Sequence, residues 1–188
     1  MTIKEGCAME SVRLKNGKSL FIRGARGEDA EKLTGFLNAV GGESNFLTFG
    51  KDECRISAEK ERILLENKIL KPPNLFLVGF VEDELICCAN LSVPQGPRVF
   101  HNGEMGITVR KKYWHLGAGT AVLGELLSRA RENPGLKTIR LGVYENNGRA
   151  IRLYRKFGFE YAGCLRNYFR VGEKYYDEVL MELPLRRP

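Results

Sequence analysis

Apolar residues recur at two different periods along this chain. Between positions 28 and 40, Ala30, Leu33, Phe36, Leu37 and Val40 return every three or four residues, and Gly41-Gly42 stops them. That spacing predicts an amphipathic helix. Ala118, Val122, Leu126 and Ala130 predict a longer one over 117–132, closed by Asn133-Pro134-Gly135. Two shorter helices follow from caps and stops. One begins at Ser57, carries Glu59 and Glu61 in its first turn and ends at Pro72-Pro73; the other covers 149–157 and ends at Gly158. The remaining apolar residues alternate or form short runs. Strands are expected over 75–81 and 85–93, joined by Glu82-Asp83-Glu84, and over 99–109 and 137–143. Residues 12–23 read as two strands with a two-residue turn at Asn16-Gly17, and 159–171 with 174–183 as a closing hairpin at Gly172-Glu173. Gly103 and Gly106 weaken the strand over 99–109 and fit a bulge.

After the opening strand the order is β-α-α-β-β-β-α-β-α-β-β, an α/β (α+β) arrangement of one sheet covered by helices. With 188 residues and no repeat or linker, a single domain over 1–188 is expected, its core from about 19 to 184. The apolar runs are far shorter than the roughly 20 residues of a membrane helix, and the first residues lack a signal-peptide pattern, so a cytoplasmic location is expected. Five cysteines without CxxC or paired histidine spacing predict reduced thiols and no metal. Charge is uneven: residues 1–100 carry 14 basic and 14 acidic side chains, whereas 101–188 carry 16 and 9. The entire net charge of +7 therefore lies in the second part, which points to an anionic partner.

Candidate chemistry lies in that basic part. Ile107-Thr108-Val109 leave a strand, Arg110 to Leu116 form a basic loop, and Gly117-Ala118-Gly119-Thr120 open the long helix. Glycines there let a ligand approach the backbone, and a helix start with free N–H groups suits phosphate. Lys111, Lys112 and His115 are expected to add positive charge around it. A Walker loop is excluded because no Gly-Lys-Ser/Thr follows, and a dinucleotide fingerprint because position 122 is Val. Downstream, Asn147 to Phe159 place Ala150 and Tyr154 on one helix face.

Together these segments resemble the GNAT superfamily of acetyltransferases. The superfamily's pyrophosphate motif, Gln/Arg-x-x-Gly-x-Gly/Ala, reads Trp114-His115-Leu116-Gly117-Ala118-Gly119, with Trp as a departure at the first position. Its second motif, Asn-x-x-Ala-x-x-Leu-Tyr-x-x-x-Gly-Phe, is matched at every fixed position from Asn147 to Phe159. The resemblance implies a mixed, mostly antiparallel sheet of about seven strands whose fourth and fifth members (99–109 and 137–143) splay apart to admit acetyl-CoA. It implies that Ile107, Thr108 and Val109 offer backbone groups to the pantetheine arm, and that His115, Leu116, Gly117, Ala118, Gly119 and Thr120 cradle the pyrophosphate. Asn147 and Ala150 would flank the arm, and Tyr154 would act as general acid on the leaving thiolate. Glu104 is the candidate base. Ribosomal-protein acetyltransferases of the superfamily commonly carry a base glutamate where this chain has Gly142, which counts against that subgroup.

The implied activity is direct acetyl transfer to a primary amine on a small molecule, peptide or protein, with no metal. Two alternatives stay open: a non-catalytic acetyl-CoA sensor on the same fold, and a transferase for a longer acyl-CoA. No RNA-binding motif is visible, so nucleic acid is not expected as a partner; a homodimer is compatible with the family. The acceptor is expected against residues 41–50 and the final hairpin, whose aromatic and acidic residues suit an amine, with Glu43, Asp52 and Glu53 as further acids.

Overall fold

The structure is a computed structural model in which residues 10–51, 53, 57–66 and 71–185 are described. Asp52, singled out above, and two of the five cysteines, Cys7 and Cys54, lie outside them. Every predicted strand and helix forms: β1 (Glu10–Arg13), β2 (Ser19–Gly24), α1 (Ala30–Gly41), α2 (Ala58–Leu64), β3 (Leu75–Val81), β4 (Glu84–Ser92), β5 (Asn102–Val109), α3 (Ala118–Glu132), β6 (Thr138–Tyr144), α4 (Gly148–Lys156), β7 (Glu160–Val171) and β8 (Lys174–Pro184). The strands make one eight-stranded sheet in the order β1-β2-β3-β4-β5-β6-β8-β7.

All neighbours are antiparallel except β5 and β6. Those two pair in parallel for only three residues, Asn102–Glu104 against Thr138–Arg140. Past that point they part, so the β6 side of β5 from Met105 to Val109 has no strand partner. This is the splay the resemblance implies.

The sheet is buried on both faces at β3 and β4, whereas β7 is largely exposed. On one, Val122, Leu123, Leu126 and Leu127 of α3 are fully buried with Ile86, Ala89, Ile139 and Leu141 of the strands. Each such leucine contributes roughly 1.5–3 kcal/mol. On the other face Leu33, Phe36 and Val40 of α1 pack on Val78, Phe80, Leu85 and Cys88. The fold has bulges, in the β3–β4 pairing and in β7, but not the one expected at Gly103 or Gly106. Register slips between Gly79 and Phe80, opposite Cys87 and Leu85, which leaves Ile86 as the additional residue in β4. The β4–β5 register is unbroken from Ser92↔Glu104 to Cys87↔Val109.

Boundaries also move. β5 starts at Asn102 rather than 99, since the Val99 and Phe100 N–H groups turn back to the Gly96 carbonyl. The first hairpin turns over three residues, Lys15-Asn16-Gly17, because the Leu14 N–H bonds the Lys18 carbonyl and Gly17 takes φ +82°. α1 starts after a 3-10 turn over Gly27–Asp29, where Asp29 accepts both the Arg23 guanidinium, at 2.7 Å for each oxygen, and the Arg26 N–H at 2.8 Å. No helix among the described residues is long and apolar enough to cross a membrane.

Candidate active site

The gap between β5 and β6 opens into a cavity of about 920 Å³. One end lies at the start of α3. His115 (φ +63°) and Gly117 (φ +101°) both take left-handed backbone, which turns the chain sharply into the helix. For His115 that conformation carries a cost of roughly 1–2 kcal/mol, a strain typical of functional turns. No side chain caps α3, and the N–H groups of Ala118, Gly119 and Thr120 have no acceptor among the described residues. The 15-residue helix concentrates partial positive charge at these amides.

The basic rim differs from the expected one. Lys111 and Lys112 do not line the cavity: the Lys112 ammonium pairs with Glu84 at 2.7 Å. Its place is taken by Arg13, Lys15, Arg149 and Lys156, together with His115. Arg13 and Lys15 come from the charge-balanced part of the sequence. The first hairpin carries them in, and the Lys15 N–H donates to the Leu116 carbonyl at 3.0 Å. Trp114, the departure in the first motif, has a definite function in packing. Its indole N–H donates to the Val109 carbonyl at 2.7 Å, and the Arg149 guanidinium lies 3.3 Å over its ring.

Of the residues predicted for the site, Glu104, Ile107, Thr108, Val109, His115, Leu116, Gly117, Gly119, Thr120, Asn147, Ala150 and Tyr154 all line this one cavity. Ala118 does not. It is fully buried in the core under α3. Asn147 caps α4, its Oδ1 accepting the Ala150 N–H at 3.2 Å. Tyr154 is 6 % exposed, and burial pushes its phenol up to about 12 against the opposing pull of Arg149. The hydroxyl is therefore protonated at any ordinary pH, a donor rather than a base.

The opposite end of the cavity is aromatic and acidic. Tyr144 stacks on Phe169 with ring centres 3.7 Å apart, and meets Phe46 edge-on at 5.7 Å. Its hydroxyl donates to the Leu47 carbonyl at 3.1 Å, which fastens the 41–50 loop over the cavity. Glu43 does not present a free charge here: it accepts Arg110 Nε at 2.8 Å and the Lys111 N–H at 2.6 Å. Glu53 likewise turns back to the Gly50 N–H. Beside the paired Glu43, two further carboxylates line the cavity, Glu104 of β5 and Glu178 of β8. Cys164 is exposed and outside the cavity, and its thiol is raised by desolvation and by Asp177, so it stays protonated.

Residues 45–159 match the acetyltransferase (GNAT) family. An acetyltransferase of the GNAT family from Streptococcus pneumoniae has a similar structure, with a TM-score of 0.83 at 30% identity over 88% of this chain and 98% of that one. Among curated proteins, an L-amino acid N-acetyltransferase of Escherichia coli is 28% identical over 105 residues, 56% of this chain and 65% of its own length. A ribosomal protein bS18-alanine N-acetyltransferase of Escherichia coli is 35% identical over 79 residues, 42% of this chain and 53% of its own. The chain thus spans between half and two thirds of the length of these curated relatives.

Proposed function

The chain belongs to the acetyltransferase (GNAT) family, and on that premise we propose that it moves the acetyl group of acetyl-CoA to a primary amine by direct transfer within a ternary complex. The observation that carries this reading is the polarity of a single cavity. A bare helix start with basic side chains forms one end, an aromatic and acidic wall forms the other, and buried Tyr154 lines the same space.

The residues fit the ligand. The N–H groups at the start of α3 match a pyrophosphate, and Arg13, Lys15, Arg149 and Lys156 match the remaining negative charge. The open side of β5 past Glu104 leaves backbone groups for an amide-bearing arm. Bound acetyl-CoA supplies an activated acyl carbon and a thiolate leaving group. Tyr154 donates its hydroxyl proton as a hydrogen bond to the sulfur as negative charge develops there. Glu104 and Glu178 attract the acceptor's ammonium, and the Tyr144–Phe169 stack packs along its apolar part. The likeness to amino-acid and ribosomal-protein acetyltransferases motivates the acceptors to test.

The experiment combines thiol release with thermal stability. Purified protein is given acetyl-CoA with L-amino acids, N-terminal alanyl peptides and polyamines. Acceptor-dependent thiol release is expected, together with a higher Tm in acetyl-CoA alone. No release with any amine, and no shift of Tm, would reject the reading.

A further inference from the structure

Gly142 of β6 and Glu178 of β8 form an arrangement that neither strand predicts alone. Gly142 pairs across the ladder with Leu180, and Tyr144 pairs with Glu178, so all four residues stand on the same face. The Glu178 side chain leans along β8 and fills the space beside Gly142. A Cβ built at Gly142 would collide with Oε1, Cδ and Cγ of Glu178. The glycine is therefore a socket, filled by the carboxylate of the adjacent strand. Both residues line the cavity, and so does Glu104. Glu104 pairs with Arg140, two residues before Gly142, in the last parallel pair before β5 and β6 separate.

We propose that Glu178, seated in the Gly142 socket, is the group that takes the proton from the acceptor ammonium, and that Glu104 serves as its electrostatic partner. This rests on the acetyl-transfer reading. The ammonium loses one N–H proton to a Glu178 oxygen, and the freed lone pair forms the C–N bond as the C–S bond breaks. The thiolate, held by the Tyr154 hydroxyl, takes up a proton from solvent. The second N–H proton goes to water, as does the one on Glu178, so the cycle releases one net proton.

Two features favour Glu178 over Glu104. Glu178 is half-buried whereas Glu104 is exposed, and desolvation followed by the Glu104 charge raises its proton affinity. A base with raised affinity is better matched to an ammonium donor near neutral pH. The other charged or titratable groups on this face are Arg140 and Tyr144 of β6 and Tyr176 and Glu182 of β8, and Arg140 is paired with Glu182 at 3.4 Å. β7 sets Leu165 opposite Glu178.

The test uses the full chain, the best amine from the panel above and three variants. Glu178→Gln should lower kcat by about 100-fold or more, with the Tm shift in acetyl-CoA kept. Glu178→Ala/Gly142→Glu, which supplies a carboxylate to the same space from β6, should recover at least tenfold of the loss in Glu178→Ala. In the absence of any ligand, carboxyl ¹³C NMR should show Glu178 titrating above an ordinary glutamate, with Glu104→Gln moving it down. Wild-type turnover with Glu178→Gln within threefold of it would overturn the assignment alone, as would an unshifted Glu178 titration. A wild type silent toward every amine would remove the acetyl-transfer reading and this assignment with it.

Discussion

Replacing Tyr154 by Phe removes one oxygen whose role can be given a magnitude. The hydroxyl opens onto the cavity, so its loss leaves no buried group unpaired and should hardly move Tm. Its proton affinity, pushed up to about 12, lies roughly three to four units above that of an ordinary thiol near 8.5. Complete proton transfer to a free thiolate would thus run uphill by about 5 kcal/mol. In the proposed reaction Tyr154 would act instead through a hydrogen bond to a developing anion, an interaction of roughly 1.5–3 kcal/mol. That converts to a fall in kcat of about 10- to 150-fold in Tyr154→Phe, with KM for acetyl-CoA nearly unchanged. The assay is steady-state thiol release across pH 6–9, run beside thermal melts. An undiminished kcat would refute the role. A loss beyond about 10⁴-fold would also refute the reasoning, because a single hydrogen bond cannot account for it.

Three further outcomes follow from the geometry. Gly117→Ala should destabilise the protein by about 1–2 kcal/mol and weaken acetyl-CoA binding, because φ +101° is strained for any L side chain while the space around a new Cβ is open; calorimetry and melts read both. Arg13→Gln/Lys15→Gln should raise the Kd for acetyl-CoA by about three- to tenfold at low salt, and the difference should shrink in concentrated salt, since both charges act at an open rim. Asp29→Asn should cost about 2–3 kcal/mol at pH 7, below the 3–5 of a fully enclosed pair because Arg23 stays one-fifth exposed and keeps its bond to the Gly24 carbonyl. Burial alone would raise the Asp29 carboxyl, but the hydrogen bonds and charges of Arg23 and Arg26 outweigh it and hold it below its usual value. The wild-type advantage is therefore fully present above the unfolded value near 4, and denaturation curves should show it vanishing as pH falls through the lowered one.

The elements were legible because their apolar periods and stop residues are local properties. Ala118, Val122, Leu126 and Ala130 are all buried as their spacing requires. What depends on one strand's position against another was not legible. Nothing around Arg13 or Lys15 shows that their hairpin docks on Leu116, and nothing around Lys112 shows that Glu84 will claim it. No bulge fell at Gly103 or Gly106, and one fell at Ile86, because register is settled between strands, not within one. Apart from Ala118, the site residues drawn from the two motifs line one cavity, since α3 and α4 both begin beside the same gap. Glu178 was visible only as one acid in a hairpin, because its place beside Gly142 is a property of two strands 36 positions apart.

The division of charge within the cavity also orders departure. Acetylation turns a cation into a neutral amide, so the acidic end loses its hold on the acceptor at the moment the bond forms. In the proposed reaction the basic end would experience the reverse, since coenzyme A keeps every phosphate that the start of α3 and its rim suit. The expected order is amide first and coenzyme A last, with the slow step of a full cycle in the exchange of spent carrier for fresh.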